Sequence, residues 1–286
     1  MKMKIGFIGQ GWVGYNYAND FEKRGYDVIR YSLDKKYINN REIINSADII
    51  FVAVPTPTVD RIFDDSFLRS ALSTISKGKI VVIKSTLIFG KTIELQEKYK
   101  DLFIFHSPEF LSRKTAAYDA ENPERNIIGM PKNTTLYRTK AKMIMSVLAK
   151  APYELICSSN EAEFIKYGHN VNGYIQVVYS NLLLDLAKNN NMKWDNLKSA
   201  FMADPLMAHR YLNPLDGKGR GAGGDCFIKD FEAFIEITKK SKVLDEHVKM
   251  LETIRNINVK LLVNSGKDMD LVRGVYSKKF LERIGK

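Results

Sequence analysis

The sequence predicts an α/β protein in two parts: a mainly parallel sheet domain over residues 1–155, then a mainly helical domain over 156–286 built on one long spine helix. Three observations predict it. In the first 150 residues, short β-branched runs alternate with longer amphipathic stretches, as in a parallel sheet covered by crossover helices. A glycine triplet follows the first run directly and opens the first amphipathic stretch. From Asn160 the period becomes helical, and "EAEFIKYGHNVNGYIQVVYSNLLLDLAKNN" continues for about 30 residues without proline, beyond the usual helix length.

The expected strands are Lys4–Ile8, Asp27–Tyr31, Ile49–Val54, Ile80–Lys84 and Leu102–His106, with helices between them over Gly11–Arg24 and Phe67–Ser76. After the spine helix, a loop rich in Gly, Pro and Asn spans Asn213 to Gly224. A second helical region then runs from Asp230 to about Asn264. The chain has no internal repeat and no low-complexity segment.

With 45% hydrophobic and 27% charged residues over 286, the chain can bury a core of ordinary size. Two cysteines cannot form a disulfide framework, so a reducing, cytoplasmic setting is expected. The opening "MKMKIGFIGQGW" lacks a signal-peptide h-region. No segment reaches the roughly 18 apolar residues of a membrane span. The net charge of +11 suits an anionic partner such as a nucleotide. The lysines are dispersed, apart from a denser tail after Lys260, and no aromatic-interleaved basic motif is present. Neither nucleic acid nor membrane is therefore an expected partner. The four histidines show no ligand spacing with Cys or carboxylates, so no metal is expected.

The glycines are Gly9, Gly11 and Gly14, a G-x-G-x-x-G between a strand and a helix with a second strand following: a Rossmann-type dinucleotide fingerprint. Gly9 permits the turn, Gly11 lets the backbone approach a pyrophosphate, and Gly14 allows close helix packing, with Val13 at the helix start among the cofactor-binding positions. An acidic residue normally ends the second strand to hold the ribose 2′-hydroxyl of NAD. Here "VIRYSLDKK" offers Ser32 and, two residues on, Asp34. Arg30, Lys35 and Lys36 could meet a 2′-phosphate, so NAD is expected and NADP stays open.

Three further segments, "VPTPT" (54–58), "KSTL" (84–87) and "SPEFL" (107–111), follow the third, fourth and fifth strands, where an open α/β sheet places its ligand crevice. Together with "EFIKYGHN" and "GAGGDCFIKD", they give a sequence that resembles the UDP-glucose/GDP-mannose dehydrogenase family over about residues 3–260. The resemblance implies oxidation of the C6 alcohol of a nucleotide sugar such as UDP-glucose to a carboxylate, with two NAD. It also implies a homodimer through the spine helix. Residue by residue, it implies Cys226 as nucleophile, Lys166 and Asn170 as the pair on the spine helix, and Asp230 four residues after the cysteine. Thr86 and Glu109 would position water or act as acid and base, and both would also line the cofactor, with Thr56, Lys229, Ser32, Asp34 and Lys36. Phe110, Leu111, Gly223, Lys166, Asn170 and Arg210 would meet substrate, Arg210 reaching the partner subunit's.

The residue types suit that chemistry independently. A thiolate traps an aldehyde as a thiohemiacetal, which can lose a second hydride to become a thioester that water hydrolyses. A helix start and nearby lysines favour a thiolate at Cys226, whereas the adjacent Asp225 opposes it. Lys166 and Asn170, four residues apart on one helix face, supply two donors for an oxyanion. Cys157, in "ELICSSN", has no such context and reads as structural. Tyr174, Tyr179 and the leucines of "NLLLDL" read as core or dimer seam.

Three departures from the family stand out: Ser32 in place of the usual aspartate, Ile228 in place of a proline, and no C-terminal nucleotide-sugar-binding domain. Two other activities remain open: a two-electron dehydrogenase of the β-hydroxyacid type, and a non-catalytic dinucleotide-binding subunit.

Overall fold

A computed structural model describes residues 3–59, 62–207, 209–215 and 219–284, so residues 216–218 of the glycine-rich loop lie outside the described residues. The chain divides into two compact units, residues 1–56 with 64–166, and residues 57–63 with 167–286.

The first unit is built on strands β1 (Ile5–Ile8), β2 (Val28–Tyr31) and β3 (Ile49–Val52); the short β4 (Thr58–Val59) and β5 (Ile62–Phe63) pair antiparallel in the second unit; then β6 (Ile80–Ile83), β7 (Phe103–His106), β8 (Arg125–Met130) and β9 (Tyr153–Ser158) complete the sheet. Among the described residues the main sheet has seven strands, in the order β2-β1-β3-β6-β7-β8-β9. Every pair is parallel except β7 with β8. The five expected strands are all present, each ending within two residues of its expected limits. β8 and β9 are additions that the sequence reading did not anticipate.

Register positions the site. Ile8 pairs with Tyr31 and Val52, Val52 with Ile83, and Ile83 with His106, so five parallel strands end level and their loops leave the sheet along one edge. The four residues of each of β1, β3 and β6 are buried, because a parallel sheet is covered on both faces. The covering helices are α1 (Trp12–Lys23), α2 (Ser66–Ser73), α3 (Lys91–Lys98), α4 (Ala116–Glu121) and α5 (Thr135–Val147). Phe7, Phe21 and Phe51 form an aromatic centre under α1, with ring centroids 5.1 to 5.5 Å apart.

The spine is α6 (Ser159–Asn189), 31 residues as the periodicity requires; its residues to Lys166 belong to the first unit and the rest to the second. α7 (Trp194–Ala203) follows. The second helical region is two helices, α8 (Gly224–Lys240) and α9 (Asp245–Ser265), where the sequence suggested one stretch; "SKVL" breaks it, with Ser241 and Leu244 in extended conformation. The tail forms α10 (Met269–Val275) and α11 (Lys278–Ile284). Tyr174 stacks on Phe231 at 3.8 Å between α6 and α8. Ile228 is buried with Val259, Leu262, Val272 and Val275, so the residue that stands in place of a proline is a core anchor for α9 and α10. No helix among the described residues is long and apolar enough to cross a membrane.

Candidate active site

The glycine turn has the geometry its spacing requires. Gly9 holds φ +91°, and a Cβ there would lie 2.3 Å from the Ala53 carbonyl oxygen; a Cβ at Gly14 would fall 2.0 Å from the Gly9 oxygen. A side chain at either position would break the turn. A Cβ at Gly11, by contrast, would meet nothing within 4 Å, and α1 starts there without a side-chain cap. Open backbone and uncapped N–H groups fit a dinucleotide pyrophosphate. Val13 is half-buried within this first turn.

At the end of β2, the Ser32 hydroxyl accepts the Asp34 N–H at 3.3 Å, while Asp34 and Lys36 are exposed. Lys36 lines a cavity of about 450 Å³ with Tyr15, Asn19, Glu22, Arg30 and Tyr37. Arg30 is bound there already. Its guanidinium donates to Glu22 Oε1 at 2.9 Å, Asn19 Oδ1 at 2.7 Å and Gln10 Oε1 at 3.2 Å, and pairs with Glu22 Oε2 at 2.7 Å.

The loops after β3 and β6 are stitched together. Thr56 Oγ1 donates to the Thr86 carbonyl at 2.9 Å, and Ser85 Oγ both donates to Val54 O and accepts from Val54 N–H. After β7, Glu109 Oε1 accepts from Lys166 Nζ at 2.9 Å, its backbone oxygen accepts from the same ammonium, and its Oε2 accepts the Leu111 N–H at 2.8 Å. The Lys166 ammonium lies 5.4 Å from the Phe110 ring centroid. Glu109, Phe110, Leu111 and Lys166 are therefore one cluster in the first unit, assembled from residues 57 apart in the chain.

In the second unit, Cys226 sits in the first turn of α8, whose N-cap is Gly223. Asp230, one turn on, is buried. Its Oδ2 accepts from Asn170 Nδ2 at 2.6 Å and its Oδ1 from Lys229 Nζ at 2.5 Å. Lys229, expected as a cation for the thiol, is thus paired with Asp230. Arg210 lies in the exposed turn His209–Tyr211, its guanidinium 5.9 Å from the Tyr211 ring centroid. The other thiol, Cys157, has its pKa pushed up to about 11 by burial and by Glu161.

Several supporting residues escaped the sequence reading. Asn258 brackets Ala222, accepting its N–H at 2.6 Å and donating to its carbonyl at 2.9 Å; Lys267 donates to Gly221 O, and Asp268 accepts the Gly224 N–H. Arg220 ties the same loop to Asn181 and Asp185 on α6. Lys84, at the end of β6, is buried and donates to Ser107 Oγ at 3.0 Å. A lysine closing an otherwise apolar strand was the signal available for it. Among the described residues no group of three or more His, Cys, Asp or Glu could hold a metal ion.

Two family models match the chain: the NAD binding domain of the UDP-glucose/GDP-mannose dehydrogenase family over residues 37–148, and its central domain over 160–260. A UDP-glucose 6-dehydrogenase of Campylobacter jejuni is 30% identical over 80% of this chain and 66% of its own length. Among solved structures, a UDP-glucose dehydrogenase of Pyrobaculum islandicum superposes with TM-score 0.75 at 23% identity, covering 89% of this chain and 68% of that one. The 3-hydroxyisobutyrate dehydrogenase of Mycobacterium tuberculosis superposes with TM-score 0.68 at 12% identity, covering 96% and 99%. The chain spans about a third of the length of one curated relative and about two thirds of the length of three UDP-glucose 6-dehydrogenase relatives.

Proposed function

The chain belongs to the UDP-glucose/GDP-mannose dehydrogenase family, and on that premise we propose that it is an NAD-dependent nucleotide-sugar dehydrogenase that oxidises the C6 alcohol of UDP-glucose or a related UDP-hexose to the carboxylate. The observation that carries this reading is the Asn170–Asp230–Lys229 cluster one turn from Cys226: a buried carboxylate, held by two donors, beside a thiol at a helix start.

In this reading the first unit is the cofactor-binding domain, with Gly9, Gly11, Val13 and Gly14 at the pyrophosphate, Ser32, Asp34 and Lys36 at the ribose, and Thr56, Thr86, Glu109 and Lys229 at the nicotinamide. The second unit is the helical domain that carries the thiol. Bound NAD supplies the hydride acceptor. The alcohol loses a hydride and a proton to become an aldehyde. The Cys226 thiolate adds to the carbonyl carbon, and the oxygen takes the electron pair and a proton, giving a thiohemiacetal. Loss of a second hydride and a proton leaves a thioester; water adds, the carbon–sulfur bond breaks, and thiolate and carboxylate are released. Lys166 and Asn170 donate to the oxyanion, Asp230 orients the water, and Glu109 with Thr86 handles protons. Phe110, Leu111, Gly223 and Arg210 contact the sugar nucleotide.

Arg30 favours NAD over NADP. Its donors are held by Glu22, Asn19 and Gln10, so a 2′-phosphate would have to displace a carboxylate to reach it. Homodimerisation is proposed through α6, where Tyr179, Leu182 and Leu186 are each about half exposed at helical spacing. Cytoplasmic residence and a role in UDP-glucuronate and polysaccharide biosynthesis accompany this reading.

The test is stoichiometry with UDP-glucose and related UDP-sugars. Two NADH per sugar are expected from the wild type, and a halt at the aldehyde from Cys226→Ser. One NADH per substrate and an indifferent cysteine would favour a two-electron β-hydroxyacid-type dehydrogenase, the second reading, which the near-complete mutual coverage with the 3-hydroxyisobutyrate dehydrogenase fold supports. Tight dinucleotide binding without turnover would leave a binding subunit.

A further inference from the structure

Lys84, Lys166 and Glu109, none more than 6% exposed, form a buried cluster at the carboxyl edge of the first unit's sheet, while Glu163, buried one turn before Lys166, is engaged by Gly90 and Thr92. Lys166 holds the Glu109 carboxylate directly. Among the described residues no carboxylate pairs with Lys84. Its ammonium donates to Ser107 Oγ at 3.0 Å and lies 4.3 Å from the centroid of the Tyr17 ring on α1. The other acids near this ring are engaged elsewhere, Asp20 by Arg24, and Asp119 on α4 by the Ser112 N–H and the Thr115 hydroxyl. From β7, His106 faces the cluster fully buried, its Nδ1 3.1 Å from the Ile83 oxygen, and burial lowers its pKa to about 3, so it adds no charge.

We propose that Lys84 is a positioning residue of the dehydrogenase site: seated on the Ser107 hydroxyl and the Tyr17 ring, its amine fixes the Ser107–Glu109 turn and sets the charge balance around the Glu109–Lys166 pair. The inference rests on the cofactor reading above only for its effect on nucleotide binding. Two buried ammonium groups against one carboxylate leave a net positive charge in a low-dielectric site, which is costly. The lysine without an anion gives up its proton. Burial brings Lys84 down to about 7, with Glu109 raising and Lys166 lowering it. Above that pH the amine is neutral and the carboxylate–ammonium pair stands one to one. Below it the cluster gains a positive charge two residues before Thr86, and that charge disfavours the cationic nicotinamide of NAD⁺ but not the uncharged ring of NADH.

Two measurements on the full chain test this. With lysine ε-carbons labelled, NMR titration should show one resonance with a midpoint near pH 7 that disappears in Lys84→Met. That midpoint should fall in Glu109→Gln, which removes the anion, rise in Lys166→Met, and fall in Ser107→Ala, which removes the acceptor of the ammonium form. In parallel, the ratio of the NAD⁺ to the NADH dissociation constant should rise at least about threefold from about pH 8 to pH 6 in the wild type, and stay flat in Lys84→Met. A purely structural lysine would leave that ratio indifferent to pH. A Lys84 midpoint near the ordinary value of about 10.4, or the same pH dependence in Lys84→Met, overturns the proposal. Should Lys84→Met fail to fold, Ser107→Ala decides through its midpoint. If neither nucleotide binds, the cofactor reading fails, while the NMR midpoints still decide the role of Lys84.

Discussion

Glu163 on α6 is fully buried and caps a helix it does not belong to. Its Oε2 accepts the Gly90 N–H at 2.7 Å, and its Oε1 accepts both the Thr92 N–H at 2.8 Å and the Thr92 hydroxyl at 2.6 Å, so α3 starts on this side chain. One turn later α6 presents Lys166, and α3 follows the loop that carries Thr86; Glu163 therefore ties two segments of the candidate site together. Two effects compete on its charge. Three convergent donors favour the carboxylate, whereas burial favours the acid, and burial prevails, raising the pKa from 4.5 to about 7. A raised carboxyl pKa means that the folded state binds the proton more tightly, so the stability this group confers is complete below about pH 4.5 and is lost as pH rises through about 7. That displacement is worth at most about 3 kcal/mol. Glu163→Gln removes the titration and turns an amide N–H₂ toward a backbone N–H, at a cost of about 1–3 kcal/mol at acid pH. Urea unfolding of both proteins between about pH 4.5 and 8 should show the wild-type advantage shrinking as pH rises. A wild-type advantage that stays constant, or grows with pH, would mean that the donors prevail over burial and would refute this account.

Glu22→Ala releases the Arg30 guanidinium; affinity for NADPH should rise about tenfold relative to NADH, measured by fluorescence titration, since one charge-assisted contact to a phosphate is worth roughly that factor. An unchanged ratio would show that Arg30 has no part in excluding the 2′-phosphate. Alkylation of the folded chain near neutral pH should label Cys226 and spare Cys157, whose thiol is pushed up to about 11. Equal labelling of the two by mass spectrometry would contradict the assignment of Cys157 as structural.

The five parallel strands were legible because each is a short β-branched run bounded by turn residues, and burial on both faces leaves nothing else for such a run to do. The spine helix was legible from its period. β8 and β9 were not. "RNIIGM" contains Asn126, whose amide is used to reach the Ala149 carbonyl at 2.7 Å, and β9 lies at the sheet edge with no fully buried residue, so neither run shows a core-strand pattern. α5 could have been read from its amphipathic period and from Thr134, which caps it by accepting the Tyr137 N–H. At the candidate site, the motifs name individual side chains but not their pairings. The spacing of Lys166 and Asn170 puts two donors on one helix face, but it does not reveal their resting partners, Glu109 and Asp230, which lie 57 and 60 residues away. Sequence spacing along one helix shows which side chains share a face; it does not show which distant carboxylate each will meet.

The segment around Cys226 shows how a short run acquires rigidity from elsewhere. "GAGGDCFIKD" has glycine at three of its first four positions, and glycine-rich backbone by itself would lose much entropy on being fixed. The chain compensates from α9 and the start of the tail: Asn258 clamps Ala222 on both sides of its peptide groups, Lys267 holds the Gly221 carbonyl, and Asp268 takes the Gly224 N–H at the start of α8. Ile228, two residues beyond the thiol, is packed among Val259, Val272 and Tyr276, so α8 is pinned by the same elements that pin the loop before it. A proline at this position could not fill that space with a branched side chain. The isoleucine is therefore explained by the helices it anchors, and α9, α10 and the residues between them belong to the support of the thiol as much as the motif itself does.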